Sequence, residues 1–516
     1  MANIVRGFKI NDLKGNCRNK VALLISPPIY DTQYWAEWSQ PYGLLRIAAL
    51  LRTYRYKRIE FFDFLETDET RRVTSHRINP DENYAEQDLA SVTKPLIISK
   101  NAESLELFWR HFGKTWAEFD EWLDQKGFDR RHPPTEIYIS AVMSYWWEAV
   151  RDLTIRLKNR FGDKPKIILG GIYPSIAPKH ATRMTKADII VEGEVEGAND
   201  LWPDLSLYEK PQTYGIVTPS RGCPFNCSYC AQLKINDGTR RVRFRAPADI
   251  VAEMRNKYDK YGIRDFAFYA DFLLWDFDNN LGKVLQQIVH DKLPFRLYAP
   301  EGLDTKVVSS SQHLCDLLKE ANFQKLYLPV ESIDDEYMKM LNRRHVKLEH
   351  YVKAVKMVEK AGFRLRNLEV NSFVLYGLPG ERIDHVVKTA MFVSELVGSI
   401  IPMLFTPVPS TLLFEKHLPY FEERGWDKQL QRLNGKLYPF IHMNEGSISD
   451  YVDLQCMMFM LNSHYRSQSF QLYGSSLVSE AFRVNIRNGF ETMVNQYKEW
   501  DPENDTPPLK AAHKTL

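Results

Sequence analysis

Cys223-Pro-Phe-Asn-Cys227-Ser-Tyr-Cys230 places three cysteines within eight residues of a 516-residue chain, and no fourth cysteine is near them. A closed structural zinc site usually has four protein ligands, so three thiolates would leave a metal position open. A 4Fe–4S cluster normally takes four cysteines, so three would leave one iron free to bind a substrate or cofactor. The spacing therefore predicts a reactive cluster.

The composition indicates a globular protein of two or three domains. Apolar residues make up 44% of the chain and charged residues 26%, and the net charge is +2, which gives no preference for nucleic acid as a partner. There is no run of eighteen apolar residues and no secretory signal, so we expect no membrane span. The other cysteines are scattered, which favours a reducing compartment and predicts a cytoplasmic protein. Among them, Cys315 and Cys456 are expected to be buried.

Residues 1–205 alternate apolar strand-like runs with helical patterns, which predicts a doubly wound (Rossmann-like) α/β domain. The predicted strands are residues 21–25, 59–64, 137–142, 167–169 and 188–191. Sheets of this kind bind ligands at the carboxyl ends of their strands. Residues 66–131 are predicted to be an insertion or lid with a helix over residues 105–123. Its aromatic side chains would suit a pocket or a core equally well.

A second alternation over residues 206–415 predicts a partial (β/α)6 barrel. Its expected strands are residues 214–218, 265–269, 295–299, 325–330, 368–375 and 400–405. The three cysteines follow the first of these strands, at the rim where barrel enzymes do their chemistry. Residues 416–516 are predicted to form a C-terminal helical region, with helices over 452–461 and 477–497 and a frayed tail over 499–516.

The cysteine motif, in a loop that leaves a barrel strand, resembles that of the radical S-adenosylmethionine (SAM) enzymes, and the resemblance covers about residues 213–414. The alternative, a zinc knuckle, lacks a fourth ligand, since the next cysteine is Cys315 and the next histidine is His290. The resemblance implies that Cys223, Cys227 and Cys230 each bind one iron of a 4Fe–4S cluster. It also implies that SAM chelates the fourth iron and is cleaved reductively to a 5′-deoxyadenosyl radical.

The same resemblance implies roles for five further residues. Tyr229 matches an aromatic position near the adenine of SAM, and Gly377 and Pro379 match a fifth-strand motif beside that adenine. Asp271 ends the second strand, where it would serve the substrate or the SAM amine, and Glu331 ends the fourth, where it would contact the SAM ribose or carboxylate. These two are the candidate catalytic residues. Alternatively, Glu331 is a salt-bridge carboxylate, and the glycine–proline motif is only a turn.

The N-terminal half resembles the cobalamin-binding domain that precedes the barrel in a large subgroup of radical SAM enzymes. Paired glycines would let the backbone approach a nucleotide tail closely, and a serine hydroxyl would bind it. No histidine follows the first strand in the pattern that would ligate cobalt, so the alternative is a domain that has lost its corrinoid. The residues implied in cofactor binding are Ser140, Met143, Gly170, Gly171, Pro174 and Glu194.

These expectations favour a cobalamin-dependent radical SAM enzyme, a C-methyltransferase that methylates an unactivated carbon. A rearrangement, cyclisation or ring contraction without methylation is the alternative, and a non-catalytic corrinoid or redox sensor is a third hypothesis. The expected partners are a small-molecule or natural-product substrate and an electron donor such as flavodoxin or ferredoxin. The sequence does not identify the substrate.

Overall fold

The computed structural model describes residues 2–34, 37–68, 70–78, 95–464 and 477–487, together with residues 495, 496 and 499. Within these residues, two six-stranded parallel sheets form the framework, and three small antiparallel sheets accompany them. None of the described helices combines the length and the apolar character needed to cross a membrane.

The first large sheet is built from the N-terminal half and has the order β1-β11-β10-β9-β2-β4. Because the chain adds β4 on one side of β2 and β9 on the other, the order reverses between β2 and β9, where open α/β sheets bind their ligands. The strands of this half are β1 (Asn3–Arg6), β2 (Val21–Ser26), β3 (Ile29–Asp31), β4 (Arg58–Asp63), β5 (Ser75–Arg77), β6 (Leu96–Lys100), β7 (Glu103–Leu107), β8 (Arg110–Phe112), β9 (Glu136–Ser140), β10 (Lys166–Gly170) and β11 (Ile189–Glu192).

The five helices described in this half include α1 and α3, which match the predicted helical patterns. The helix predicted over residues 105–123 is wrong in its first part, because residues 103–107 alternate polar and apolar side chains and pair with β6 as a hairpin. A capping box at Thr115 starts the helix instead, through its side-chain hydroxyl and the Glu118 carboxylate. The helices are α1 (Tyr42–Thr53), α2 (Trp116–Gln125), α3 (Trp147–Phe161), α4 (Ile172–Ile176) and α5 (Pro178–Met184).

The insertion over residues 66–131 uses its aromatic side chains for its own core. The buried aromatic residues of this segment are Trp109, Phe112, Trp116, Phe119 and Phe128. Phe112 lies on β8, which pairs antiparallel with β3 and β5 and so fastens the insertion to the first half. These side chains therefore stabilise the insertion and do not line an open pocket.

The second large sheet follows the chain order β12-β15-β16-β17-β18-β19, and all its pairs are parallel. This order confirms the predicted succession of six strands, whereas closure of the sheet into a partial barrel stays a prediction. The strands of this half are β12 (Tyr214–Val217), β13 (Ser220–Arg221), β14 (Arg243–Phe244), β15 (Asp265–Phe268), β16 (Arg296–Tyr298), β17 (Phe323–Glu331), β18 (Val370–Tyr376) and β19 (Ile400–Leu404). Of these, β13 and β14 form a separate two-stranded antiparallel sheet.

Helices lie between the strands of this half, and all of them except the short α6 bury side chains. They are α6 (Gln232–Ile235), α7 (Pro247–Tyr261), α8 (Leu281–His290), α9 (Thr305–Val308), α10 (Gln312–Glu320), α11 (Asp335–Met340), α12 (Leu348–Lys360) and α13 (Ile383–Val397). Cys315 on α10 is buried as predicted.

The C-terminal region is helical where the structure describes it. Its helices are α14 (Leu412–Lys416), α15 (Leu418–Glu423), α16 (Ile448–His464) and α17 (Leu477–Arg487). Cys456 is exposed on α16, contrary to its predicted burial, because α16 packs through Tyr451, Leu454 and Met458 on another face. The predicted frayed tail falls almost entirely outside the described residues, and the domain limits at residues 205 and 415 stay predictions.

Candidate active site

The loop that holds the three cysteines is fixed by its backbone at several points. Gly222 has a φ of +96°, and a Cβ there would lie 2.2 Å from the carbonyl oxygen of Arg241, so only glycine fits. The Gly222 N–H donates to Asp271 at 2.6 Å. Further along, the Ser228 N–H donates to the carbonyl of Leu341 at 2.9 Å. The loop is therefore built into the second sheet, not appended to it.

The three thiols lie in an environment that burial dominates. Cys227 is buried, and Cys223 and Cys230 are half-buried. Burial raises the pKa of Cys223 to about 11 and that of Cys230 to about 12. Burial also raises the pKa of Cys227, while the charge of Arg343 acts in the opposite direction.

Three sulfur ligands without a fourth fit a 4Fe–4S cluster that keeps one iron open. Within the described ranges, no three Cys, His, Asp or Glu side chains surround one point as the ligands of a single ion would. A cluster makes a different demand, because each thiolate binds its own iron. Arg343 supplies a second sign of fit, since its buried Nε–H has no acceptor among the described residues.

Arg343 is a site residue that the sequence did not reveal. Its Nη1 donates to Cys227 Sγ at 3.8 Å, and its Nη2 lies 3.1 Å from the Glu331 carboxylate. The side chains of Arg343 and Glu331 are only 15% and 12% exposed. Sequence reasoning sees Arg343 and Arg344 as equivalent neighbours in a loop, and no pattern distinguishes the one that faces the cysteines.

Glu331 lies at the end of β17, as predicted, and is engaged as a salt-bridge carboxylate. The pairing of β17 with β18 shifts register between Pro329 and Glu331, and Glu331 has a φ of +59°. Burial raises the pKa of Glu331, while the charge of Arg343 and a hydrogen bond from Tyr229 oppose that rise. The structure thus brings Tyr229, Glu331 and Arg343 together beside Cys227.

Asp271 has a positioning contact, because it holds the backbone of Gly222 directly before the cluster loop. Burial raises its pKa. A second carboxyl that sequence reasoning missed, Glu301, follows β16 and is exposed to solvent. Desolvation by the surrounding protein nevertheless raises the pKa of Glu301 to about 7, with a smaller effect from the charge of Asp271. A carboxyl whose pKa is raised in this way is a candidate functional residue.

The loop that follows β18 is a rigid turn. The N–H of Gly377 donates to both oxygens of the Glu381 carboxylate, at 2.8 and 2.9 Å. The N–H of Gly380 donates to Asn444 at 2.8 Å, and Pro379 between them is buried. The turn that the sequence suggested is therefore present, and a role for Gly377 and Pro379 beside an adenine stays a prediction.

The carboxyl edge of the first sheet exposes apolar side chains. Beyond Ser140, the last residue of β9, Val142 and Met143 are 43% and 39% exposed. A Cβ on Gly171 would lie 2.3 Å from the carbonyl oxygen of Ala141, so this glycine is required for packing against the end of β9. A role for Gly171 in cofactor binding stays a prediction.

The roles predicted for Gly170 and Pro174 stay predictions, and the structure gives their surroundings. A Cβ on Gly170 would meet its nearest atom only at 3.9 Å, so the backbone has space on that side. Ser175 Oγ donates to the Gly171 carbonyl at 2.7 Å and accepts from the Gly193 N–H at 3.0 Å. Pro174 is buried behind this pair. The loops after β10 and β11 are thus tied together.

Glu194 joins the end of the first large sheet to the β13–β14 pair, which flanks the cluster loop. Its carboxylate accepts from Arg221 at 2.7 Å and from Arg243 at 2.6 and 2.9 Å. Burial alone would raise the pKa of Glu194, but hydrogen bonds from Arg243 and Arg221 outweigh it and bring the pKa to about 2. Arg221 lies two residues before Cys223, so the carboxyl edge of the first sheet adjoins the cluster loop.

Comparisons with known proteins agree with this architecture. Residues 217–393 match the radical SAM superfamily. An uncharacterised methyltransferase of Pyrococcus horikoshii is 26% identical over 209 residues, which are 39% of this chain and 41% of that protein. A tRNA-2-methylthio-N6-dimethylallyladenosine synthase of Clostridium botulinum is 27% identical over 280 residues, which are 52% of this chain and 58% of that protein. The chain thus spans less than two thirds of each of these relatives.

Among solved structures, a radical SAM methyltransferase from Kitasatospora setae, TsrM, with cobalamin and a [4Fe–4S] cluster bound, is similar over nearly the whole chain. The TM-score is 0.55 at 12% identity, covering 93% of this chain and 99% of that one. At this identity the likeness concerns the fold. It confirms the predicted α/β architecture, while the family match confirms the radical SAM domain and, with it, SAM and a 4Fe–4S cluster as cofactors.

Proposed function

With residues 217–393 belonging to the radical SAM superfamily, we propose that the protein is a cobalamin-dependent enzyme that transfers a methyl group to an unactivated carbon of a small molecule. One observation carries the proposal. Glu194, which follows β11 of the first sheet, pairs with Arg221 two residues before Cys223. A cofactor on the carboxyl edge of the first sheet would therefore be a neighbour of the cluster loop.

The carboxyl edge of the first sheet supports a corrinoid as that cofactor. Val142, Met143 and Ile172 are exposed apolar residues, at 43%, 39% and 39%. Val142 and Met143 follow β9, which borders the point where the strand order reverses, and Ile172 follows β10, the next strand. Adjoining apolar side chains left exposed at such a point suit a broad, largely apolar ligand. Gly170 leaves space for a tail at the same edge.

In this proposal the cluster and SAM would supply a 5′-deoxyadenosyl radical, and cobalamin would supply the methyl group. Cys223, Cys227 and Cys230 would bind three irons, and Asp271 would hold the loop that carries them. Glu301, accessible at the end of β16, would border the substrate. A reduced flavodoxin or ferredoxin would supply the electron.

The test is anaerobic reconstitution of the full chain with iron, sulfide and hydroxocobalamin. We expect about four irons and one corrinoid per chain. With a reductant and SAM carrying a labelled methyl group, labelled methylcobalamin and S-adenosylhomocysteine should form without any substrate. A Cys227→Ala variant should lose iron, whereas Cys315→Ala, outside the motif, should keep it.

The outcomes separate the alternatives. A protein that binds no corrinoid would contradict the methyl-transfer proposal. Cleavage of SAM to 5′-deoxyadenosine with no label in cobalamin or in any product would favour a rearrangement or cyclisation. A loaded protein that never cleaves SAM under reducing conditions would favour a sensor.

A further inference from the structure

Arg343 lies at the centre of a buried group around one cluster cysteine. It follows α11 in a loop attached to the cysteine loop, where Asn342 Nδ2 donates to the Asn226 carbonyl at 2.5 Å. Its guanidinium contacts Cys227 Sγ at 3.8 Å and the Glu331 carboxylate at 3.1 Å. Two elements therefore fix the position of the cation against the sulfur.

A cation held in this way acts on the charge of whatever the thiolate binds. Reduction of a 4Fe–4S cluster adds one negative charge, and N–H···S hydrogen bonds and nearby positive charge favour the reduced form. Burial strengthens the interaction because the effective dielectric constant is lower than in water. The negative charge of Glu331 opposes part of the effect of Arg343 on the cluster. That carboxylate also accepts a hydrogen bond from Tyr229. The guanidinium, in contrast, contacts the sulfur directly.

The free donor of Arg343 adds to the same effect. Its Nε–H is buried and has no acceptor among the described residues. A buried donor without an acceptor is destabilising, so an acceptor is expected when the site is complete. A lysine would not replace the planar guanidinium of Arg343, because a lysine ammonium is one compact charge, whereas the guanidinium has several donors in fixed positions.

We propose that Arg343 is a positioning residue that sets the reduction potential of the cluster, raising it through the hydrogen bond to Cys227. The step it assists is uptake of one electron by the oxidised cluster from a reduced flavin or iron–sulfur carrier, with no bond broken and no proton transferred. The inference rests on the proposed function for the cluster alone. Methyl transfer and cobalamin are not required for it.

Potentiometric EPR titration of the reconstituted full chain tests the inference. The Arg343→Gln variant should show a reduction equilibrium at least about tenfold less favourable, which is a shift of about 59 mV to lower potential for one electron. The matched control is Arg344→Gln, since Arg344 is exposed and adjacent and should leave the potential unchanged. Equal iron content with an equal potential in Arg343→Gln would overturn the proposal.

A second measurement does not depend on how well a glutamine variant loads its cluster. Wild-type holoenzyme with 15N-labelled arginine should show a weak 15N coupling to the reduced cluster in pulsed EPR. The coupling should vanish in Arg343→Lys and persist in Arg344→Lys. Its absence from the wild type, or its survival in Arg343→Lys, would show that this guanidinium does not contact the cluster. Either result would leave the proposed methyl transfer standing.

Discussion

Gly222 is the residue on which the cysteine loop depends most directly. We expect Gly222→Ala to lose most of its iron, because its Cβ would lie 2.2 Å from a backbone oxygen and would displace the donor to Asp271. Gly238→Ala is the control: its φ of +74° costs about 1 kcal/mol of strain, but the site is open. Iron analysis after reconstitution checks both, and equal iron in the two variants would contradict the role of Gly222.

The buried carboxyl of Glu381 should make the stability of the protein depend on pH. Burial raises its pKa from 4.5 to about 7, even though Gly377, Leu378 and two tyrosine hydroxyls donate to it. A carboxyl with a raised folded pKa binds its proton more tightly in the fold, so its stabilising effect is present below about pH 4.5 and is lost as pH rises through 7. The loss amounts to about 3 kcal/mol.

Glu381→Gln cannot titrate and serves as the reference for this effect. The free energy of unfolding of the wild type relative to Glu381→Gln should therefore fall as pH rises from about 5 to 8. Urea denaturation at several pH values measures the difference. A difference that does not change with pH would mean that Glu381 keeps one protonation state across this range.

The roles of residues that belong to a short sequence motif were predictable. The roles of residues that depend on partners far away in the chain were not. The spacing of the three cysteines predicted a cluster motif, and Gly377 predicted a turn. Arg343 contacts Glu331 of β17 and Cys227 of the cysteine loop, which lie about 12 and 116 residues away in the chain. Its role depends on these two contacts. The raised pKa of Glu301 likewise depends on surrounding residues that no short pattern describes.

At the scale of elements, apolar runs and helical periodicity predicted both parallel sheets, because buried parallel strands read as continuous apolar stretches. They failed in the insertion, where two short strands, β7 and β8, replace the first part of a predicted helix. They also missed β1 (Asn3–Arg6), a mostly exposed edge strand that pairs only with β11. Short edge strands have few apolar residues to identify them in the sequence, so whether they form depends on the strand with which they pair.

The hairpin of β6 and β7 clamps the turn after β18. Lys100 Nζ donates to the carbonyls of Asn444 and Gly446 at 2.6 and 2.5 Å, and the Asn444 side chain accepts from Gly380 at 2.8 Å. Asn444 Nδ2 also donates to Tyr451 on α16 at 2.7 Å. An element of the N-terminal insertion therefore restrains the loop that is predicted to border SAM.

Loosening this clamp should weaken SAM binding without removing the cluster. We expect Lys100→Ala to raise the Kd for SAM about threefold to tenfold, because the turn would lose its support while the cysteine loop keeps its own. Lys416→Ala, an exposed lysine on α14, is the control. Equilibrium binding of SAM to protein of equal iron content measures the effect, and an unchanged Kd in Lys100→Ala would show that the clamp is only structural.

At the scale of the whole molecule, polar contacts from the C-terminal region join the N-terminal half to the second large sheet. Asp31, at the end of β3, is fully buried and accepts from Asn434 at 3.0 Å and from Lys436 at 2.9 Å. Gly435 between them donates its N–H to Thr406, just after β19, at 2.9 Å. The order of the two halves was predictable from the sequence. The contacts of Asp31 with Asn434 and Lys436 were not, because they join residues about 400 positions apart.

The exposed apolar edge of the first sheet provides the test of how the two halves work together. Met143→Asp should weaken corrinoid binding at least about tenfold, or about 1.4 kcal/mol, because a carboxylate would be desolvated against an apolar ligand. Iron content and reductive cleavage of SAM should persist, since the cysteine loop belongs to the second sheet. Val484→Asp, on an equally exposed valine of α17, is the control. Cobalt and iron measured in the same samples decide the matter: cobalt lost with iron retained places the corrinoid on this edge, whereas cobalt retained in Met143→Asp places it elsewhere.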